Sequence, residues 1–160
     1  MDHLIPSSKS WIRLGDAKAK QVVQFIKEHR EYFPVIRDVG CLVHSDFKPV
    51  NLLWSEESGL TVLDWEFAHS GAGIMDFGIL LRHFQDFPIS LSHLEKGYCE
   101  NGGNLPPDWL QCARITDFIN IVQLLNSSSD RPKLFQSLIQ NLDSTMERWG
   151  KLSEVLSCSL

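Results

Sequence analysis

The polar residues that could carry chemistry are concentrated in one short segment, His-Ser-Asp-Phe-Lys-Pro-Val-Asn at positions 44–51. The segment supplies a carboxylate at Asp46 and a carboxamide at Asn51, and a second carboxylate, Asp64, follows 13 residues after Asn51. Carboxylate and amide oxygens bind hard cations such as Mg²⁺, and a carboxylate can also act on a substrate hydroxyl. These groups can cooperate only if the chain between them turns back on itself.

A β-hairpin between Asn51 and Asp64 provides that turn. Apolar residues flank the polar residues 55–59, which is typical of two antiparallel strands joined by a turn. If Trp54 pairs with Leu60, the antiparallel register brings Asn51 and Asp64 to the same end of the hairpin. This convergence suits Mg²⁺ with phosphate oxygens as its other ligands, and it leaves the carboxylate in the preceding loop free for a hydroxyl.

Helical patterns account for most of the remaining chain. Apolar residues recur at helical spacing, and Asp16 is a suitable N-cap for the first helix. The expected fold class is therefore α+β, predominantly helical, with one small β-hairpin. The predicted strands are 51–54 and 60–64, and the predicted helices are 17–31, 75–85, 89–98, 106–125 and a last one that starts at 130–132 with an apolar stripe of Leu134, Phe135, Leu138, Ile139, Leu142, Met146, Trp149 and Leu152.

Composition limits the classes of protein to consider. The 160 residues contain 15 Lys+Arg and 20 Asp+Glu, a formal net charge of -5, and no basic run that would suit nucleic acid. There is no apolar stretch of about 18 residues, so no membrane span is expected. The four cysteines form no metal-binding or redox spacing. We expect one cytoplasmic domain over residues 1–160 that binds neither nucleic acid nor membrane.

The motifs make the sequence similar to a known family. The segment at 44–51 resembles the His-x-Asp-x-x-x-x-Asn catalytic loop of kinase-like phosphotransferases, and it is most similar to the aminoglycoside and choline phosphotransferase family. The second motif of that family, an Asp-Trp-Glu at a strand end, corresponds to residues 64–66. Ser45 stands where the family more often has Gly. Residues 71–76 and 105–109 also resemble the family, so the similarity spans nearly the whole chain.

The resemblance implies a role for each residue of the site. Asp46 would be the catalytic residue that orients the acceptor hydroxyl, and Lys48 would bind the transferring phosphoryl group. Asn51 and Asp64 would hold Mg²⁺ against the phosphates of ATP, the implied donor. His44 would be structural and would pack beneath the loop.

Asp76-Phe77-Gly78 has the letters of the metal-binding motif of protein kinases, but its position does not suit that role. It lies 25 residues after Asn51, beyond the hairpin and at the start of a predicted helix, whereas Asp64 lies at a strand end. We expect Asp76 to accept backbone N–H groups at a helix start and to support the catalytic loop structurally.

The resemblance further implies which part of the fold is present. Only about forty residues precede His44, and they contain neither a glycine-rich loop nor a strand pair. Residues 1–160 would therefore be the C-terminal lobe of a protein-kinase-like fold, without the N-terminal nucleotide lobe. Such a lobe would have an exposed apolar face through which the chain could self-associate.

The leading hypothesis is an ATP-dependent phosphotransferase with a small-molecule hydroxyl acceptor. The family's acceptors include aminoglycosides, choline-like amines and sugars. The alternative is an inactive or truncated kinase-like lobe that acts as a fragment or a binding partner. A third hypothesis, an iron site of two His and one carboxylate at His44, Asp46 and a distal residue such as His93, is disfavoured because that chemistry usually needs a strand-rich barrel.

Overall fold

The computed structural model describes residues 4–37, 40–82 and 90–151, and these form a mostly helical α+β structure, as predicted. Within this part, no helix is long and apolar enough to cross a membrane. The elements in chain order are α1 (Lys9–Leu14), α2 (Asp16–Glu28), β1 (Cys41–Val43), β2 (Leu52–Ser55), β3 (Gly59–Val62), β4 (His69–Gly71), α3 (Ile74–Arg82), α4 (Leu91–Glu100), α5 (Trp109–Leu125) and α6 (Pro132–Arg148), with short 3₁₀ helices at Arg30–Arg37, Pro49–Asn51, Trp65–Phe67 and Trp149–Lys151.

Helix α5 is the centre of the packing because it is buried on nearly all sides. Its N-terminal half, including Trp109 and Ala113, packs with α3 and α4. Its C-terminal half, including Phe118 and Ile121, packs with α1, α2 and α6. A helix with no polar face is typical of such a central position. Helix α5 thus contributes to both apolar clusters.

Helices α3 and α5 approach each other closely at Gly78. A Cβ atom built on Gly78 would lie 2.3 Å from the backbone oxygen of Ala113, so only glycine fits at this crossing. Beside it, Arg82 of α3 forms an ion pair with the buried carboxylate of Asp117 of α5, which offsets the cost of burying that charge. These contacts fix α3, which carries Asp76.

The hairpin of β2 and β3 has the register that the sequence predicts. Trp54 pairs with Leu60, and the N–H of Leu63 donates to the carbonyl of Asn51 at 2.9 Å. The strands are 52–55 and 59–62, so Asn51 lies in the 3₁₀ helix just before β2 rather than in the strand. The predicted pairing is therefore confirmed, with strand ends that differ from the prediction by one or two residues.

A second antiparallel pair, of β1 with β4, was not predicted. It places Val43 opposite His69 and Cys41 opposite Gly71. Each strand has only three residues, and 25 residues separate the two, so no local pattern marks them. This pair brings the start of the catalytic loop next to the segment that follows Asp64.

The predicted helices are present, but their ends differ. The first ends at Glu28 instead of residue 31, and its N-cap is Gly15, with Asp16 as the first helical residue. Helix α5 begins at Trp109 rather than at residue 106. In the α6 stripe Leu134 is 41% exposed, whereas Phe135, Leu138 and Leu142 are buried. Predicted helical residues 83–85 and 89 and stripe residue Leu152 lie outside the described residues.

Candidate active site

The loop between β1 and β2, which we call the catalytic loop, begins with a sharp turn at Ser45. Its φ of 66° lies in the left-handed region. Asp76, in the first turn of α3, accepts hydrogen bonds from the backbone N–H groups of His44 at 2.7 Å and Ser45 at 2.9 Å. The donors are loop amides rather than amides at the start of the helix. Each oxygen of Asp76 is used, so α3 holds the start of the loop at two points.

His44 connects the catalytic loop to the end of β3. Its side chain is 2% exposed, and its Nδ1 accepts the backbone N–H of Asp46 at 3.2 Å. Its Nε2 lies 2.7 Å from the carbonyl oxygen of Leu63, which can only accept. His44 is therefore the neutral tautomer with the proton on Nε2. One buried ring links the backbone of Asp46 to the residue that precedes Asp64.

Asp46 has one oxygen engaged by two neighbours. Its Oδ2 forms an ion pair with Lys48 Nζ at 2.6 Å and accepts from Asn51 Nδ2 at 3.1 Å. Within the described part of the chain, no hydrogen bond reaches its other oxygen. The arrangement leaves Oδ1 able to accept a hydrogen bond from a hydroxyl.

Asn51 is oriented by its two contacts to Asp46. The side chain is 7% exposed, and Nδ2 donates to the backbone oxygen of Asp46 at 2.9 Å as well as to its carboxylate. Both partners are acceptors, so the amide nitrogen must face them. The amide oxygen of Asn51 therefore points the other way, and no described residue donates to it.

Asp64 lies two residues beyond the last residue of β3, in a left-handed conformation with φ of 67°. Its side chain is exposed, and among the described residues it has no hydrogen-bond or ion-pair partner. The bond between Leu63 and Asn51 places the two predicted metal ligands on adjacent chain segments. An amide oxygen and a carboxylate without protein partners are donors that fit Mg²⁺.

A complete protein cage for a metal is not present in the described residues. They contain no group of three or more His, Cys, Asp or Glu side chains that could hold a metal ion. The predicted set has one amide and one carboxylate, and Mg²⁺ commonly takes one or two carboxylates with water and phosphate oxygens. With this donor set, water or phosphate oxygens would have to supply the other ligands of a Mg²⁺ ion.

Backbone strain is concentrated at this site. Among the described residues, Ser45 and Asp64 are the two non-glycine positions with positive φ. This conformation costs on the order of 1–3 kcal/mol for such residues and persists where surrounding contacts enforce it. Strain of this kind is common at functional sites, which agrees with the position of the catalytic loop.

The phosphotransferase enzyme family (APH) is the family whose model matches this chain, over residues 8–114. The chain belongs to this family. The match covers more than half of the 160 residues and includes every predicted site residue from His44 to Asp76. Membership assigns the protein to the phosphotransferases in general. No curated protein and no solved structure is significantly similar to the chain.

The structure brings five of the six predicted residues of this phosphotransferase into one network of side-chain contacts. The five residues in contact are His44, Asp46, Lys48, Asn51 and Asp76. Asp64 adjoins them only through the backbone of Leu63, which bonds to His44 and Asn51. The structure does not bring the Asp64 carboxylate into contact with the others. The catalytic, phosphate-binding and metal roles of these residues stay predictions.

Two residues beside the site were not predicted as part of it. Trp65 packs against His44 with ring centroids 4.7 Å apart and donates from Nε1 to the carbonyl of Val62 at 2.9 Å. His69 Nδ1 lies 3.0 Å from Ser45 Oγ. Trp65 follows Asp64 directly, so its position in the motif was a usable signal. The contact of His69 depends on the β1–β4 pair and had no local signal.

A shallow groove also lies between α2 and α6, away from this network. Residues of both charges line it, among them Lys18, Glu28 and Asp143. Lys18 and Asp143 pair with each other at 2.5 Å, so their charges are already matched. None of the predicted site residues lines this groove.

Proposed function

We propose that the chain is the C-terminal lobe of a kinase-like phosphotransferase that transfers the γ-phosphoryl group of ATP to a hydroxyl of a small molecule. The observation that carries the proposal is the bridge formed by His44. Its two nitrogens connect the Asp46 amide and the Leu63 carbonyl, at 3.2 Å and 2.7 Å. Phosphoryl transfer depends mainly on positioning and charge neutralisation, and such a bridge serves the first need.

Asp46 is the proposed catalytic residue. Its Oδ2 is held by Lys48 and Asn51, and its Oδ1 accepts the hydrogen of the acceptor hydroxyl. The carboxylate orients the hydroxyl oxygen toward the phosphoryl group and takes its proton as the new bond forms. A rigid carboxylate at this point supports transfer to an alcohol rather than to an already anionic group.

Asn51 and Asp64 are the proposed ligands of Mg²⁺. The Asn51 amide oxygen and the Asp64 carboxylate, which have no partners among the described residues, would hold the ion. When bound, Mg²⁺ would neutralise charge on the phosphate oxygens. Asn51 also donates to Asp46, so the residue that holds the metal aligns the catalytic carboxylate.

Lys48 is the proposed phosphate-binding residue. Its Nζ lies 2.6 Å from Asp46 Oδ2, and its side chain is 34% exposed. A phosphoryl oxygen that enters the site competes with Asp46 for this ammonium group. Transfer of the Lys48 contact from Asp46 to the phosphate would free the carboxylate for the acceptor.

The acceptor class proposed is an aminoglycoside, a choline-like amine or a sugar. The net charge of -5 and the carboxylates near the loop favour a cationic acceptor over an anionic one. Asp64 and Glu66 are exposed, and they alternate in the chain with the exposed aromatic residues Trp65 and Phe67. Exposed carboxylates and aromatic rings in one segment suit a hydroxylated amine.

Calorimetric titration with Mg²⁺-ATP tests the proposal. We expect micromolar binding by the natural chain and loss of that binding in Asp64→Ala. Glu57→Ala, which removes an exposed carboxylate from the turn of the hairpin, is the matched control and should bind as the natural chain does. Equal binding by Asp64→Ala, or transfer of labelled γ-phosphate to none of the three acceptor classes, would contradict the proposal.

The second candidate, an inactive lobe that acts as a binding partner, is favoured by a different observation. Large apolar side chains are exposed on the hairpin, with Trp54 74% and Leu60 57% exposed. An apolar surface next to the site would suit contact with another polypeptide. Absence of nucleotide binding, together with self-association, would favour this candidate over the enzyme.

A further inference from the structure

We propose that Ser45 and His69 are positioning residues, and that their hydrogen bond fixes Asp46 for the transfer reaction. The inference rests on the proposed function, because it assigns these residues to the reaction at Asp46. The observation behind it is the contact of 3.0 Å between Ser45 Oγ and His69 Nδ1, which joins the catalytic loop to β4.

The catalytic loop changes direction at Ser45. Its φ of 66° turns the chain between the buried His44 and Asp46. A residue with a Cβ atom has an unfavourable energy in this conformation and returns to negative φ unless contacts prevent it. Its backbone N–H donates to Asp76, and its side chain is held by His69.

The backbone of His69 is held in a strand pair, and its side chain is exposed. It belongs to β4 and lies opposite Val43, which is fully buried at the end of β1. His69 Nδ1 also lies 3.1 Å from the carbonyl oxygen of Phe67, which can only accept, so Nδ1 carries the proton. The same N–H is shared with Ser45 Oγ, which therefore accepts. Ser45 is thus tied to α3 through Asp76 and to β4 through His69.

Loss of the hydrogen bond between Ser45 and His69 would displace the carboxylate of Asp46. Asp46 follows Ser45, and its N–H is bonded to His44 at 3.2 Å. If Ser45 relaxes toward negative φ, the Asp46 backbone rotates, and its Oδ1 moves relative to the acceptor. Small displacements of a catalytic group lower the rate of the chemical step more than they lower substrate affinity.

Four variants test this inference by kinetics: Ser45→Ala, His69→Phe, the double variant of both, and His69→Asn. We expect Ser45→Ala and His69→Phe each to lower kcat about fivefold, with nucleotide KM changed less than about twofold. The double variant should be no slower than His69→Phe, because the bond between Ser45 and His69 is already absent in that single variant. His69→Asn should restore kcat, because its Nδ2 can donate in place of Nδ1. His93→Phe removes a similar Ser–His contact of 2.7 Å on α4 and is the control.

Amide hydrogen exchange provides a readout that does not need activity. The Asp46 amide should exchange about fivefold faster in Ser45→Ala and His69→Phe, but not in His69→Asn or His93→Phe. Additive effects in the double variant, an effect on KM alone, or unchanged Asp46 exchange would overturn the inference. If the natural chain transfers no phosphate while the exchange pattern is as expected, the proposed function fails and the positioning of Asp46 stands.

Discussion

Asp46 Oδ2 accepts from both Lys48 and Asn51, so one side of this carboxylate is committed before any substrate binds. The same contacts orient Asn51, and His44 fixes the backbone of Asp46 with a single tautomer. Each polar group in the network has a defined donor or acceptor role. At the scale of residues, hydrogen bonds therefore order the polar groups of the site.

Asp46→Asn should separate catalysis from binding. The change removes the carboxylate proposed to accept the hydroxyl proton and keeps the size of the side chain, so we expect kcat to fall about 10²–10⁴-fold. Nucleotide affinity measured by calorimetry should change little, since Asn51 and Asp64 remain. Unfolding free energy should fall by no more than about 1 kcal/mol, because the ion pair with Lys48 is partly exposed. Full activity in Asp46→Asn would exclude the assigned role.

Cys112 should be the least reactive of the described cysteines. Burial, and next the carboxylate of Asp108, raise the pKa of its thiol from 9.0 to about 11. Cys41 and Cys99 are exposed. At pH 8 we expect iodoacetamide to label the two exposed thiols first, because the thiolate is the nucleophile. Peptide mass spectrometry gives the order, and labelling of Cys112 at the rate of Cys99 would be the contrary result.

The raised pKa of Cys112 also makes the free energy of unfolding depend on pH. The folded protein keeps the Cys112 proton at pH values where the unfolded chain loses it. The contribution to stability is therefore fully present below pH 9.0 and decreases as the pH rises toward about 11. The free energy of unfolding, measured with denaturant at several pH values, should lose this contribution in the natural chain but not in Cys112→Ala.

At the scale of elements, the position of α3 decides where Asp76 meets the catalytic loop. Helix α3 is held against α5 by the close approach at Gly78 and by the ion pair of Arg82 with Asp117. The site thus depends on a helix crossing that contains none of the reacting groups. The β1–β4 pair plays the same part on the other side of the loop.

Gly78→Ala and Gly97→Ala form a matched pair of helix substitutions. The new Cβ at 78 would meet Ala113 O at 2.3 Å, so α3 and α5 must separate, and we expect a loss of about 1–3 kcal/mol. At Gly97 in α4 nothing lies within 4 Å, so alanine should stabilise by about 0.5–1 kcal/mol through helix propensity. Chemical denaturation measures both. Equal effects would show that the α3–α5 distance is not constrained.

At the scale of the whole molecule, the helices pack against one another through apolar clusters, whereas the β-hairpin is largely exposed to solvent. Within the described chain, β2 and β3 form a sheet of only two strands. Isolated two-stranded sheets are marginally stable, and the strands at 52–55 and 59–62 contain no charged residue that would discourage pairing with another chain. The hairpin is therefore the part of the surface best suited to association.

We predict that the purified chain self-associates through the hairpin. Sedimentation velocity should show a mass that rises with concentration, because Trp54 and Leu60 are 74% and 57% exposed side by side. The variant with Trp54→Ser and Leu60→Ser should remain monomeric. Ile12→Ser, a change at a 70% exposed residue on α1, is the control and should associate as the natural chain does. A monomer at all concentrations would refute this prediction.

The sequence by itself determined the local elements and pointed to the candidate site. Helices and the hairpin follow from periodic apolar residues that lie close together in the chain, and the Trp54–Leu60 register follows from the polar turn between them. The motif residues at 44–51 and Asp64 were recognisable because their types and order are specific. Helix ends were less predictable, since tertiary contacts decide the last turn.

Only the tertiary structure decided the contacts that join distant segments. The β1–β4 pair, the contact of His69 with Ser45 and the approach of Gly78 to Ala113 link residues 24 or more positions apart. Such contacts depend on how helices and strands pack as a whole, which no window of sequence contains. The left-handed turns at Ser45 and Asp64 are of the same kind, because surrounding contacts enforce conformations that the residues themselves disfavour.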